Sequence, residues 1–168
     1  MDDKIYKIGL VISLILITIA VAMPKWIVHN DSNTLSTIEN QGLFNSCTKQ
    51  KTSRGPVTCN SLDDTKLKIC RGLALAAISL LAITLIFIMI PSIDWKFDTI
   101  IIGVAVILLI TTLILYSKYV KKINDQHQEM DRKKYYKYSS SFYLGIVAII
   151  IATLSILYEE YYKRIKKN

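Results

Sequence analysis

The residues of this chain that could do chemistry are few, and a pair of cysteines is the clearest of them. Cys47 and Cys59 lie twelve positions apart in a long polar segment, and Arg54-Gly55-Pro56 between them is typical of a turn. A thiol oxidoreductase needs a closely spaced pair such as Cys-x-x-Cys, whereas this wider spacing lets a bridge join the two strands of a hairpin. The sequence therefore predicts a structural disulfide, with two unrelated thiols as the alternative.

Other side chains that commonly bind metals or carry catalysis are scattered along the chain. His29 and His127 lie in different segments, without cysteines or carboxylates at ligand spacing, so no metal site is predicted. Cys70, the third cysteine, is expected to be a buried or interfacial free thiol. We predict no catalytic residues, no cofactor and no enzyme activity, and a membrane thiol oxidoreductase is the enzyme class that stays as an alternative.

The elements that must position these residues are set by four apolar runs without a single charged residue. Uninterrupted runs of this kind predict transmembrane helices rather than a soluble core. The predicted helices cover residues 8–23, 73–90, 100–116 and 142–158 of a single domain that spans residues 1–168. Because no Asp, Glu, Lys, Arg or His lies inside these runs, the sequence disfavours pumps, proton-coupled transporters and voltage sensors.

Small residues fall on one face of three of the predicted helices, and such residues let helix backbones approach closely. These residues are Gly9, Ser13 and Ala20 in the first helix, Gly72, Ala76 and Ser79 in the second, and Gly145, Ala148, Ala152 and Ser155 in the fourth. The alternative is that Ala and Gly are simply common in membrane helices, and the regular spacing favours a packing face in the fourth helix. The chain is thus expected to form a helical bundle held together by packing.

Two signals in the sequence conflict over the topology of the chain. With a cytosolic N-terminus, the loops at 24–72 and 117–141 face outward and the tails at 1–7 and 159–168 lie in the cytosol. Those loops carry 14 of the 21 Lys and Arg residues, and the positive-inside rule therefore favours the reverse orientation. The cysteine pair, which can bond in an oxidising compartment, and a glycosylation sequon that begins at Asn30 favour the first arrangement. We adopt that arrangement chiefly because of the wider pattern of residues described next.

A wider pattern surrounds the cysteine pair. Trp26 follows the first apolar run, Gly42-Leu43-Phe44 precedes the first cysteine, and Arg71 stands at the start of the second helix. In order and spacing this pattern resembles the claudin superfamily, which includes claudins and peripheral myelin protein-type four-span proteins. The resemblance implies a left-handed, all-α transmembrane four-helix bundle topped by a small extracellular antiparallel β-sheet. Four strands would come from the first loop and one from the second, and no catalysis is implied.

The chain departs from the family pattern at several positions. Phe44 replaces a family tryptophan, and the cysteine spacing is one residue longer than usual. The C-terminus, Lys166-Lys167-Asn168, lacks the Tyr-Val ending by which typical claudins bind PDZ scaffolds, which puts that partner in doubt. In pore-forming claudins the charges of the first loop tune ion selectivity, and an ordinary solvated segment is the alternative. The candidates by this resemblance are Asp63, Asp64, Lys66 and Lys68.

These patterns together predict an interaction protein of the plasma membrane, at cell junctions or elsewhere on the surface, with the endoplasmic reticulum as the alternative compartment. The expected function is cell–cell adhesion or a paracellular barrier or pore, through lateral self-assembly and contacts of the extracellular loops. An auxiliary subunit of a channel or receptor, similar to a calcium-channel gamma subunit, is the alternative. The expected partners are the lipid bilayer, further copies of the chain and other membrane proteins, and not nucleic acid.

The first-loop sheet is expected to be the functional surface, with Trp26, Leu43 and Phe44 as its anchors. Arg71 is expected to bond either loop carbonyls or the carboxylates of Asp63 and Asp64, while its stem lies along apolar surface.

Overall fold

Four long helices and five short strands make up the structure, a computed structural model that describes residues 3–30, 37–50, 57–61, 64–90, 98–129 and 136–167. The helices are α1 (Asp3–Ala22), α2 (Thr65–Met89), α3 (Asp98–Glu129) and α4 (Ser140–Lys167). Each helix is long and apolar enough to cross a membrane. The prediction of four such helices with a small antiparallel sheet is therefore confirmed.

All four helices extend beyond the apolar runs that predicted them, and α1 begins at Asp3, five residues before its run. α2 begins at Thr65 because the Asp64 side chain caps it, accepting a hydrogen bond from the Lys66 backbone N–H at 2.8 Å. α3 continues to Glu129 and α4 to Lys167, through segments that contain several lysines and glutamates. Since Lys and Glu are good helix formers, a charged residue ends the apolar run without ending the helix.

The small-residue faces predicted for the first and fourth helices pack against each other. α1 lies mainly on α4, and α2 lies mainly on α3. Gly9 approaches Ser155 so closely that a Cβ on Gly9 would collide with the serine hydroxyl. The hydroxyl of Ser13 donates a hydrogen bond to the Ala148 carbonyl at 2.8 Å. Because short side chains let the two backbones approach this closely, the prediction of a packing face is confirmed for this pair.

The three small residues noted in the second helix do not pack against the other described helices. Gly72, Ala76 and Ser79 are exposed, and nothing lies within 4 Å of a Cβ built on Gly72. The buried face of α2 contains Ala74 and Ala77 instead, together with larger apolar residues. Small residues occur on more than one side of this helix, so spacing alone could not identify the side that packs.

The five strands form one antiparallel sheet in the order β4-β3-β2-β1-β5. Their bounds are β1 Ile27–Asn30, β2 Thr37–Gln41, β3 Asn45–Gln50, β4 Thr58–Ser61 and β5 Lys137–Tyr138. Four strands therefore come from the first loop and one from the second, as the family resemblance implied. The sheet has two edges, β4 on one side and the two-residue β5 on the other.

The sheet is joined to the helix ends just after α1. The backbone N–H of Trp26 donates to the Gln41 carbonyl at 3.1 Å, and the Trp26 carbonyl accepts from the Ser139 N–H at 2.9 Å. Below this junction Ile27 and Leu43 are completely buried. Backbone hydrogen bonds and apolar burial thus fix the position of the first loop on the bundle.

Candidate functional site

The predicted disulfide is present in the sheet. Cys47 of β3 and Cys59 of β4 are register partners, their Cα atoms are 4.1 Å apart, and their sulfur atoms are bonded. The bridge holds the edge strand β4 onto β3. Cys70 is a free thiol buried in α2, in agreement with the expectation from the sequence.

The side chain of Trp26, which directly precedes β1, packs against residues of α1, α3 and α4. Its side chain is 1% exposed, and its indole Nε1 donates a hydrogen bond to the Ala20 carbonyl at 2.6 Å. Its ring meets those of Tyr116 and Phe142 edge to face, with centroids 4.8 and 6.0 Å away. This geometry shows why a tryptophan suits the position: a large apolar body fills the junction while its polar N–H satisfies a carbonyl at the end of α1.

The Gly42-Leu43-Phe44 segment makes the tight turn that leads into β3. The Gly42 N–H donates to the Asn45 carbonyl at 2.8 Å. A Cβ on Gly42 would lie 2.5 Å from the Pro24 Cα and 2.8 Å from the Met23 carbonyl oxygen. Glycine is required here because another backbone segment passes against it, which is one of the two reasons for a glycine at such a turn.

Arg71 holds that turn in place from α2. Its Nε donates to the Leu43 carbonyl at 2.7 Å, and one of its terminal nitrogens donates to the Phe44 carbonyl at 3.2 Å. Its guanidinium carbon is also 5.4 Å from the centroid of the Phe44 ring. Of the two bonding modes considered from the sequence, the structure shows the one to loop carbonyls. Phe44 lacks the indole N–H of a family tryptophan but keeps the aromatic face over which the cation lies.

The charged and glycosylation candidates are not brought together into a site within the described residues. Asp64 caps α2, and the side chains of Lys66 and Lys68 are exposed at the start of the same helix. Asp63 lies outside the described residues. The backbone of Asn30 ends β1, but its side chain and the rest of its sequon lie outside the described part of the chain.

A polar layer between the sheet and α3 was missed by the reasoning from sequence. Gln41 is 4% exposed, and its amide donates to the Tyr119 hydroxyl at 3.2 Å, while the Tyr116 hydroxyl donates to the Gln41 carbonyl at 3.4 Å. Glu39, two residues before Gln41 and on the same face of β2, accepts from the Ser46 hydroxyl at 3.1 Å. The period-two spacing of Glu39 and Gln41 was the available signal, since residues at i and i+2 of a strand share a face.

Tyr136 completes this layer from the second loop. Its hydroxyl lies 3.5 Å from a carboxylate oxygen of Glu39, and its backbone N–H donates to the Asn124 side chain at 2.9 Å. Burial, together with the negative charge of Glu39, raises the pKa of Tyr136 to about 12. The phenol is therefore protonated at neutral pH and can act as a hydrogen-bond donor to the carboxylate.

The register of the sheet also shows which residues face away from the helices. Ile27 and Gln41 are cross-strand partners and both are buried, so their face of the sheet lies on the bundle. The alternate positions therefore point outward. We call this side the outward face of the sheet, and its side chains include Val28, Ile38, Asn40, Lys49 and Lys137.

The contacts described above hold the sheet in a fixed position on the helix ends. Among the described residues no group of three or more His, Cys, Asp or Glu side chains could hold a metal ion. A groove of about 530 Å³ lies between α1 and α4 at the end of the bundle away from the sheet, and it is lined mostly by aliphatic and tyrosine side chains.

Comparison with protein families gives one match that covers most of the chain. The model of the PMP-22/EMP/MP20/Claudin family matches residues 5–158, from the start of α1 to well within α4. A search of curated proteins finds no match to the chain.

Proposed function

Because the chain belongs to the PMP-22/EMP/MP20/Claudin family, we propose that it is a plasma-membrane protein of cell–cell contacts. It acts in adhesion, or as a paracellular barrier or pore, with the sheet on the extracellular side and both termini in the cytosol. The observation that supports this proposal is a rigid sheet with an open polar edge, seated on a bundle with transmembrane-length helices. Neighbouring copies assemble side by side through that edge.

The edge in question is β4. Its four residues, Thr58–Ser61, are all exposed, and its outer side has no partner strand in the sheet. An edge strand presents a row of backbone donors and acceptors that another strand can bind. The disulfide to β3 holds β4 in an extended shape before any partner arrives, so little additional order has to be imposed on binding.

The symmetry of the contact decides what the assembly can become. If β4 of one copy pairs with β4 of another, the interface is two-fold and closes as a dimer. If β4 binds a different surface of its neighbour, such as the β5 edge, each copy keeps one open side and rows can grow. A continuous barrier between cells requires rows, so we propose the second kind of contact.

A second observation supports lateral contacts within the membrane. The stripe formed by Gly72, Ala76 and Ser79 is exposed on α2, where its backbone is accessible to a helix of another subunit. This stripe suits a second copy of the chain, and it also suits the helix of a channel or receptor. The auxiliary-subunit function therefore remains the second candidate.

Site-specific photo-crosslinking in cell membranes tests both candidates. A photoreactive side chain at Thr58 or Asn60 should give crosslinked ladders of the chain itself, whereas the same group at the exposed Ile165 of α4 should not. Dimers without higher species indicate two-fold pairing and contradict rows. Crosslinks from the Ala76 position to one different protein favour the auxiliary subunit. If neither the β4 positions nor the Ala76 position gives crosslinks, lateral assembly is contradicted.

The proposed orientation has its own test. If the sheet faces the lumen during synthesis, the sequon at Asn30 is exposed to glycosylation, and a glycosidase should reduce the mass of the protein. Asn30→Gln should abolish that shift. Because the absence of a glycan has other causes, labelling of a cysteine introduced at Lys49 by an impermeant reagent on intact cells decides the orientation. Labelling only after permeabilisation contradicts it.

A further inference from the structure

Positive charge is concentrated at the sheet end of the molecule. The segments 24–72 and 117–141 hold 14 Lys and Arg residues and 7 Asp and Glu residues, a net charge of +7. The rest of the chain holds 7 basic and 6 acidic residues, a net charge of +1. Nearly all of the formal net charge of +8 therefore belongs to the end that carries the sheet.

Exposed lysines outnumber exposed carboxylates among the described residues of these two segments. Eight lysines of these two segments have exposed side chains, whereas Asp125 is the exposed carboxylate among the side chains that the structure describes there. Glu39 is partly buried in the polar layer beneath the sheet, and Asp64 is engaged in the cap of α2. The surface field at this end is consequently positive.

Five of these lysines, which we call the basic face, fall in two groups. Lys118, Lys121 and Lys122 are exposed within about one turn of α3, at spacings that place them on one side of the helix. Lys49 and Lys137 lie on the outward face of the sheet, on strands that β2 and β1 separate. The α3 group lies near Lys137, because Asn124, one turn after Lys121, binds the backbone of Tyr136, which immediately precedes Lys137.

This charge distribution bears on what the sheet can face across a gap between membranes. Two copies that meet sheet to sheet bring two positive surfaces together, and such like-charge contacts are unfavourable. The facing partner should therefore be anionic and not a second copy. The bilayer of the same cell cannot occupy the positions at Lys49 and Lys137, since their face of the sheet points away from the helices.

The residue types on the basic face indicate which kind of anion fits. Protein–protein hot spots are enriched in Trp, Tyr and Arg, whereas the outward positions named above hold Val, Ile, Asn and Lys. Lysine is a flexible point charge that does not require the fixed fork geometry of arginine. Dispersed lysines of this type suit a chain with repeated negative charges along its length.

We propose that the basic face binds a linear anionic polysaccharide, sulfated or carboxylated, on the surface opposite the cell. This inference rests on the proposed function, because it requires the sheet to lie outside the cell. It assigns the contact across the gap to a partner of opposite charge, and it leaves the contact between neighbouring copies to the β4 edge.

Binding of heparin, used as the sulfated probe, tests the proposal with the full chain in nanodiscs of zwitterionic lipid. The wild type should bind heparin and not neutral dextran, and binding should weaken as salt rises because counterions are released on contact. Lys49→Ser with Lys137→Ser should weaken binding roughly tenfold and flatten the salt dependence by about one unit of slope per lost contact. Lys49→Arg with Lys137→Arg, which keeps both charges, should bind as the wild type does.

The matched control removes two charges from the other end of the molecule. Lys7→Ser with Arg164→Ser changes the net charge by the same amount, and heparin affinity should stay within about twofold of the wild type. Equal losses in this control and in the sheet variant overturn the proposal, as do heparin binding that is insensitive to salt and a complete lack of binding by the wild type. Stronger competition by anionic lipid vesicles than by heparin also overturns it.

Failure of this inference and failure of the proposed function give different results. Crosslinked ladders from β4 together with no heparin binding remove the polysaccharide and leave lateral assembly intact. Heparin binding without ladders keeps the basic face as a binding surface and removes the proposed rows. Each variant is compared with the wild type for unfolding temperature, so that a loss of binding is not mistaken for a loss of fold.

Discussion

Replacing Arg71 by alanine should destabilise the junction between the first loop and the bundle. The substitution removes a short hydrogen bond to the Leu43 carbonyl, a longer one to the Phe44 carbonyl and the contact of the cation with the Phe44 ring. Hydrogen bonds from charged groups contribute about 1.5–3 kcal/mol each, and an exposed cation–π contact about 0.5–1 kcal/mol. Because Arg71 is only half-buried and one of the bonds is long, the combined loss falls slightly below the sum of the lower ends of these ranges and is about 3 kcal/mol.

Thermal unfolding of the purified protein in mild detergent measures this loss. For a chain of this size a destabilisation of 1 kcal/mol lowers Tm by roughly 2–4 °C, so Arg71→Ala should lower it by roughly 6–12 °C. The Tm of Arg71→Lys should lie between those of the wild type and Arg71→Ala, since a single ammonium group can keep one carbonyl bond but cannot bridge both carbonyls. Lys66→Ala, which removes an exposed cation from the same helix, should change stability by less than about 0.5 kcal/mol.

Surface expression in cells separates a structural role of Arg71 from a direct role in contacts. A structural role requires Arg71→Ala to reach the surface poorly, in proportion to its lower Tm. If the variant unfolds at the wild-type temperature and reaches the surface normally, yet no longer supports contact between cells, the reasoning is refuted and Arg71 belongs to the contact surface.

Three further substitutions test other parts of the junction. Gly42→Ala should destabilise by about 1–3 kcal/mol, because the new methyl group overlaps backbone that cannot rotate away, whereas Gly72→Ala should be neutral or stabilising; denaturation curves of the pair measure the difference. Replacing both Cys47 and Cys59 by serine should cost about 3 kcal/mol, since the bridge closes a loop with a sequence separation of 12, and the reduced wild type should match this variant in Tm. Tyr136 keeps its proton in the folded state up to a pKa of about 12, whereas a phenol in an unfolded chain ionises near pH 10, so stability should fall as pH rises between these values. Tyr136→Phe should make that fall shallower, and an equally steep fall in the variant contradicts the assignment.

The features that could be predicted from the sequence are those imposed by strong local chemistry. Two cysteines on either side of a turn can pair whatever the residues between them, and Cys47 and Cys59 do so. Runs without charge indicate membrane helices because the bilayer excludes ionised side chains. Trp26 and Arg71 were assigned from a family pattern, and the structure supplies the physical reasons: an indole N–H for a helix-end carbonyl and a guanidinium for a turn.

The features that could not be predicted depend on partners that are distant in sequence. β2, Thr37–Gln41, has few apolar residues and no alternation, and it is a strand because β1 and β3 bind both of its sides. Gln41 reaches Tyr119, which lies 78 positions along the chain. The packing face of α2 could not be chosen by spacing either, since that helix has small residues on more than one side and only the position of α3 decides among them.

Most of the residues that make this chain recognisable are not residues that a partner can reach. Trp26 and Leu43 are buried, Gly42 lies against another backbone segment, and the Arg71 guanidinium is bonded to the turn. The family pattern therefore consists mainly of residues that hold the sheet on the helix ends, and the anchors predicted from the sequence are among them. We propose that contact is made instead by the β4 edge and by the lysines of the outward face. Because the residues of the β4 edge and the outward face make few contacts with the core, they can change without disturbing the fold. The same bundle and the same sheet can therefore carry binding surfaces for different partners.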